Sequence, residues 1–334
     1  MKRWLSILSL VCSAALAAEV RVNESGQIEA HGRDVRVFRG DASQPLFGSV
    51  VKTHDSVCFA AALPLSPGEA YRIEIQTADG RWSTQRLKFK LSAAVAPTVS
   101  ISPSPTVLPA NALKLYLHFT QPMEQGVFLD RITLQRQDGK VVHGAFRETE
   151  LWSPDGKRLT LWLHPGRQKT GVNLNIDEGP VLQEHRQHTL KIAANWRSTT
   201  GVALGKETAF ALAAGAVDHT CPNPLRWQIT APKAGTCDPL VVSFDEPLDP
   251  AMLISTLKVQ RGEGEVAGVV TVVADARTWS FTPALAWTPG ACVLKIDPLL
   301  EDLAGNNLLG PFEVDRDAPA KAAATTSLSF KVGG

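Results

Sequence analysis

The chain repeats itself in register, and that limits what it can fold into. Phe119-Thr120-Gln121-Pro122-Met123 matches Phe244-Asp245-Glu246-Pro247-Leu248, and Thr160-Leu161-Trp162-Leu163-His164-Pro165 matches Thr278-Trp279-Ser280-Phe281-Thr282-Pro283. His188-Thr189-Leu190-Lys191-Ile192 then matches Cys292-Val293-Leu294-Lys295-Ile296, and Gly201-Val202-Ala203-Leu204 matches Gly305-Asn306-Asn307-Leu308. His188 to Gly201 and Cys292 to Gly305 both span 13 residues. Four blocks in a common frame mean two copies of one folding unit. A more diverged third copy is visible where Leu65-Ser66-Pro67-Gly68-Glu69-Ala70-Tyr71-Arg72-Ile73 parallels Trp287-Thr288-Pro289-Gly290-Ala291-Cys292-Val293-Leu294.

Each unit is built from short apolar–polar alternations, such as Arg72-Ile73-Glu74-Ile75 and the run Leu113 to Phe119. Turns rich in Pro, Gly, Asp and Asn separate them, and no stretch sustains a 3.6-residue apolar period with caps. Period-two runs broken every 8–12 residues describe an all-β sandwich. Small-residue hinges at Ala96-Pro97 and Ala214-Gly215-Ala216 place the boundaries. The expectation is all-β: three tandem sandwiches over 18–96, 98–214 and 218–334. The last carries a tail strand at Ser327 to Val332, after an Ala-rich loop from Ala318 to Thr326.

Residues 1–17 read as a signal peptide. Lys2 and Arg3 precede an apolar run from Leu5 to Leu16, and Ala15-Leu16-Ala17 fits the small-x-small cleavage rule. No other apolar run approaches the roughly 20 residues of a membrane helix. The chain is therefore expected to be exported, to the periplasm or the cell surface, and not to span a membrane. With Lys+Arg 34 against Asp+Glu 33 there is no basic excess to neutralise phosphates, which excludes a nucleic-acid partner. Among Cys58, Cys221, Cys237 and Cys292, only Cys221–Cys237 is a pair close in sequence, so it is the possible disulfide. Free thiols are the equal alternative, because domains of this size need no staple.

The third copy carries a resemblance. Glu246-Pro247-Leu248-Asp249-Pro250 and Asp302-Leu303-Ala304-Gly305-Asn306-Asn307-Leu308 resemble the turns of the bacterial Ig-like domains named after the SbsA surface-layer protein. The likeness covers 226–315 well, 98–212 in part and 18–96 weakly. It implies Ig-like sandwiches serving as spacers, scaffolds or binding modules on exported bacterial proteins. The family pattern has tyrosine where this chain has His188 and Cys292, which leaves open what closes that corner in the second and third copies. Locally, Asp249-Pro250 reads as a helix cap followed by proline at the first helical position, and Gly305-Asn306 as a turn needing positive φ.

Candidate chemistry is sparse. Asp245, Glu246 and Asp249, with Asp297, Glu301 and Asp302 downstream, match no calcium loop and read as turn carboxylates and caps. Five of the eight histidines (His118, His143, His164, His185, His188) fall in the second unit. On a strand, His185 and His188 point to opposite faces and would not share one ion. No G-x-S-x-G, H-E-x-x-H or phosphate loop is present, so no enzyme, metal or cofactor is expected. The second unit does carry an outsized connection. Pro165 to His188 spans 23 residues where Pro283 to Cys292 spans 9. Long insertions in compact sandwiches commonly carry function. If Leu161 and Leu163 face the core, Trp162 points outward beside that 165–187 loop. Trp162, Arg167, Lys169 and His185 are thus the candidate binding residues, suited to stacking on a sugar or packing a protein; the plainer reading of Trp162 is cover for a domain seam or for its own loop. The expected function is a non-catalytic Ig-like scaffold or binding protein of the bacterial cell envelope, with an envelope protein or polysaccharide as partner. A carbohydrate-binding module is the alternative, and below it a periplasmic metal-binding protein.

Overall fold

The alternation written in the sequence is the alternation that is buried. Along Ala70–Gln76, Tyr71, Ile73 and Ile75 are fully inside while their neighbours are not. The same holds for Leu159 and Leu161 on Arg158–Trp162, and for His188, Leu190 and Ile192 on Gln187–Ile192. A strand with one apolar face buries it only against a second sheet, and three sandwiches result. The computed structural model describes residues 20–23, 26–66, 68–88, 95–104, 107–169, 171–313 and 325–333. The signal-peptide reading of 1–17 and most of the Ala-rich loop lie outside these residues.

By contacts the chain forms two units, residues 1–95 with 197–202, and residues 96–196 with 203–334. The first contains one sandwich. Strands Val20–Val22, Ile28–His31, Ser56–Ala61 and Gly48–Lys52 face the three-stranded sheet Asp34–Arg39, Ala70–Gln76, Trp82–Lys88, and Ile28, Val37, Phe59, Tyr71, Ile73 and Ile75 fill the space.

The second unit contains two sandwiches on one plan. In the first of these, sheet Leu151–Trp152, Arg158–Trp162, Lys114–Phe119, Val99–Ser102 packs on sheet Ile132–Arg136, Gln187–Ile192, Thr208–Ala214, Val107–Leu108. In the other, sheet Gln228–Thr230, Leu240–Ser243, Thr278–Pro283, Gly268–Val272 packs on Gly264–Glu265, Leu257–Arg261, Gly290–Ile296, Ser327–Val332. Gln187–Ile192 and Gly290–Ile296 are the corresponding central strands, each between two antiparallel partners. The repeat holds at single-atom level. Gly201 and Gly305 sit at φ +84° and +81°. Each donates its N–H to the carbonyl three residues back, Ser198 and Asp302, and each turn is closed by a bond from that same residue's N–H to the Val202 or Asn306 carbonyl.

One feature differs from the sequence reading. The 165–187 excursion folds into two short helices, Pro165–Gln168 and Asn173–Glu178, with Val181 and Leu182 returning fully buried to the core. Cys221 and Cys237 are free thiols, as are Cys58 and Cys292.

Candidate functional site

The strand Lys114–Phe119 turns Leu115, Leu117 and Phe119 into its own core and sends Lys114 and Tyr116 the other way. There they meet the third sandwich. Lys114 Nζ lies 2.8 Å from Asp249 Oδ2 and 2.7 Å from Glu301 Oε2. The Tyr116 hydroxyl donates to the Asp249 carboxylate at 2.7 Å. Burial works against the Lys114 charge, but Asp249 and Glu301 outweigh it and hold the ammonium above its usual range. Burial, reinforced by Asp249, pushes the Tyr116 phenol up, so it stays a donor. Asp249 also accepts from the N–H groups of Ala251 and Met252. One buried carboxylate therefore caps its own turn and anchors the neighbouring domain, the arrangement in which a buried ion pair keeps every lone pair satisfied. Around it, Leu113 N–H donates to the Leu303 carbonyl at 2.9 Å, and Asn111 and Asn306 both donate to the Asp218 carbonyl. Gly305 completes the seam. Its φ of +81° favours glycine, and a Cβ there would meet Leu113 Cδ1, so a larger residue would have to displace the Leu113 side chain.

Beside the seam, a cavity of about 610 Å³ is lined by Leu108, Asp218, Glu246, Arg277 and Asp302, among others. Carboxylate oxygens of Asp218, Glu246 and Asp302 lie within 4.8 Å of one another. Burial, then the charges of Asp302, Asp218 and Asp245, push Glu246 up to about 8. Burial pushes Asp302 up to about 7 even though Asn306 bonds its ionised form. Both Asp302 oxygens are committed, to Ala304 N–H, Asn306 N–H and the Asn306 amide, while Glu246 makes no hydrogen bond among the described residues. The three carboxylates carry six oxygens, of which the two of Asp302 and one of Asp218 already accept hydrogen bonds. Asp218 was absent from the sequence-derived acidic set because it lies in the interdomain connection, far in sequence from the other two.

The four residues expected to bind are dispersed. Trp162 stands on the outer face opposite Lys114, with Arg147 4.9 Å and Lys114 5.9 Å from its ring centre. It thus borders the seam. Lys169 also faces the third sandwich, its ammonium 4.4 Å from the Phe312 ring centre. Arg167 is 2% exposed. Its guanidinium donates to the carbonyls of Gly179 (2.9 Å), His143 (2.5 Å), Glu178 (3.1 Å) and Pro180 (3.4 Å), so it ties the loop to the domain instead of facing solvent. His185 is exposed at φ +56°, apart from the other three in its contacts.

No family profile and no curated protein matches the chain. Among solved structures it is similar to the FN1–FN3 domains of chicken CNTN1, at 9% identity and TM-score 0.22, over 95% of this chain and 96% of that one. It is similar to the SGBP-B protein of a Bacteroides ovatus mixed-linkage glucan utilization locus, at 11% identity and TM-score 0.19, over 89% of this chain and 59% of that one. It is also similar to domains 4–9 of the surface layer protein SbsC, at 10% identity and TM-score 0.23, over 92% of this chain and 42% of that one.

Proposed function

We propose that the chain is an exported, non-catalytic scaffold or binding protein of the bacterial cell envelope, in which residues 96–334 act as a stiff strut of two SbsA-type Ig-like domains. The observation that carries this reading is the seam. Lys114 and Tyr116 of one sandwich converge on Asp249 of the next, and Glu301 and the Leu113–Leu303 backbone bond reinforce them. A catalytic lysine needs its pKa lowered, and Lys114 has it raised, so the most buried cation of the seam serves structure. The two turns that resemble the SbsA type are the ones that build the seam, through Asp249 and Gly305. The signal-like residues 1–17 support export. The test is fractionation of the expressed full-length chain with mass spectrometry of its N-terminus. Recovery from the exported fraction with a new N-terminus at residue 18 supports the reading, and an intact chain held in the cytosol contradicts it.

A further inference from the structure

Two strands at the rims of their sheets are alike. Gly48–Lys52 in the first sandwich and Gly268–Val272 in the third are each five residues long, and each ends a four-stranded sheet. Both open on a glycine whose Cβ, if present, would strike a phenylalanine ring on the neighbouring strand, Phe59 or Phe281. Both then set a valine opposite that phenylalanine, Val50 or Val270. They are one strand of the repeated unit.

Antiparallel strands pair through the backbone of alternate residues. Thr53 N–H donates to the Ser56 carbonyl and Ala62 N–H to the Phe47 carbonyl, so the odd-numbered residues of the first rim face their own sheet. Ala284 N–H bonded to the Ala267 carbonyl, and Val273 N–H to that of Thr278, fix the same phase in the third sandwich. The N–H and C=O groups of Gly48, Val50 and Lys52, and of Gly268, Val270 and Val272, therefore point away from the sheets. They take no hydrogen bond among the described residues. Proteins blunt such rims with proline, charge or a break. The second sandwich breaks its own. There the strand is reduced to Leu151–Trp152 and a single bridge of Phe146 with Leu163, and Glu150 accepts from the N–H groups of Gly126, Val127 and Phe128. The first and third rows hold no proline, and their one charged residue, Lys52, leans on Asp34 at 3.0 Å.

The side chains select what an added strand would be. Val50, Val270 and Val272 pack on their cores, so the odd-numbered positions face solvent. With the two rows antiparallel and their free backbone groups in step, Gly48 meets Val272, Val50 meets Val270 and Lys52 meets Gly268. On the solvent face Phe47, which is 90% exposed, then falls opposite Val273, Ser49 opposite Thr271, and Val51 opposite Val269. Apolar meets apolar and hydroxyl meets hydroxyl, the match that fixes strand register. Either row paired with itself in step loses this, because Val51 would face Ser49 and Val269 would face Thr271. Charge points the same way. Residues 48–52 carry the cation Lys52, whereas Glu263 and Glu265 precede the third row, so self-pairing sets like charges together.

We propose that the first-sandwich rim of one molecule adds to the third-sandwich rim of a second copy as an antiparallel strand, with Val51 against Val269. The contact joins unlike surfaces and leaves each copy a second rim for a further molecule. It uses no residue of the seam and so goes beyond the scaffold reading. The test is sedimentation equilibrium of the full-length chain over a range of concentrations, with melting curves to check each variant. Val51 and Val269 are 62% and 68% exposed, so recharging them leaves both cores intact. The wild type should self-associate reversibly. The chain with Val51→Lys and Val269→Glu should associate at least about fivefold more tightly than the chain with Val51→Glu and Val269→Glu, since opposite charges directly across a strand pair attract and like charges repel. With Val269→Glu common to both, the sign of charge at position 51 changes affinity in this direction only if the two rims meet. The proposal is overturned by a wild type that is monomeric at about 1 mM, by equal association of the two double variants, or by tighter association of the like-charged one.

Discussion

The second and third sandwiches share a frame and solve one corner differently. In the third, a short connection passes the central strand closely enough for Arg261 to take the Thr288 carbonyl from the surface. In the second, the excursion supplies two helices and the buried pair Val181 and Leu182, and it needs its own internal fastening. Arg167 provides this with four carbonyls. Gln168 adds bonds to Ala110 and Ala112 and accepts from Val181 N–H. An insertion in a sandwich is thus cheap in chain entropy, yet once it lies against the core its backbone groups must be satisfied from within. The difference teaches that the same strand register can tolerate a new corner only if buried polar side chains accompany it.

The comparison breaks most easily at those two arginines. Arg167→Ala should cost about 3 kcal/mol in chemical denaturation, because several buried carbonyls lose their donor together, and should open 165–187 to protease. Arg261→Ala removes one exposed bond and should cost less than about 1 kcal/mol. Equal effects would dissolve the contrast between a tied and an untied corner. At the seam, Gly305→Ala should cost about 2–3 kcal/mol, since the new methyl strikes Leu113 as well as meeting a positive φ. Gly205→Ala, at φ +76° with open space around it, should cost only the backbone share of about 1–2 kcal/mol. Matching losses at both glycines would mean the close approach is not a constraint.

Smaller effects sharpen the corner. His188→Phe should cost about 1 kcal/mol by leaving Gln183 N–H without its acceptor, and His188→Tyr should recover part of it if the ring nitrogen stands in for the hydroxyl that Tyr71 offers to Ser66. No recovery would show that the two corners are unrelated. Last, Glu246 and Asp302 hold protons more tightly folded than unfolded, because their folded values lie near 8 and 7 while free carboxyls titrate near 4. The stability from the protonated forms is full below about pH 4 and is lost as pH rises through 7 to 8. Melting should therefore fall between pH 5 and 8.5, and Glu246→Gln should raise the melting temperature at pH 8.5 by about 2–4 °C with little change at pH 5. An unchanged pH profile in that variant would remove the burial argument.

Much of this frame is legible in the residues. Alternation alone places Tyr71, Ile73, Leu159, Leu161 and Leu190 inside, and the outward direction of Trp162 follows from the same period of two. What stays hidden is whatever depends on which strand lies opposite which. Arg136 and His188 are 52 residues apart in sequence and meet only through antiparallel register. Lys114 and Asp249 belong to different domains. Asp218 sits on the interdomain connection and joins Glu246 and Asp302 only when the seam closes. Arg167 misleads for a physical reason. A basic side chain on a long loop is ordinarily solvated, and its burial becomes affordable only when several carbonyls converge on it, which sequence spacing does not display.

The central claim is that two copies of one frame are locked together by Lys114, Tyr116 and Asp249. It is tested most directly by the distance distribution between spin labels carried on noncanonical residues at exposed positions Asp138 and Glu263 of the full-length chain, one in each sandwich. The account predicts a single narrow distribution in the wild type that broadens in Lys114→Ala; a distribution already broad in the wild type, or one that Lys114→Ala leaves unchanged, would contradict it.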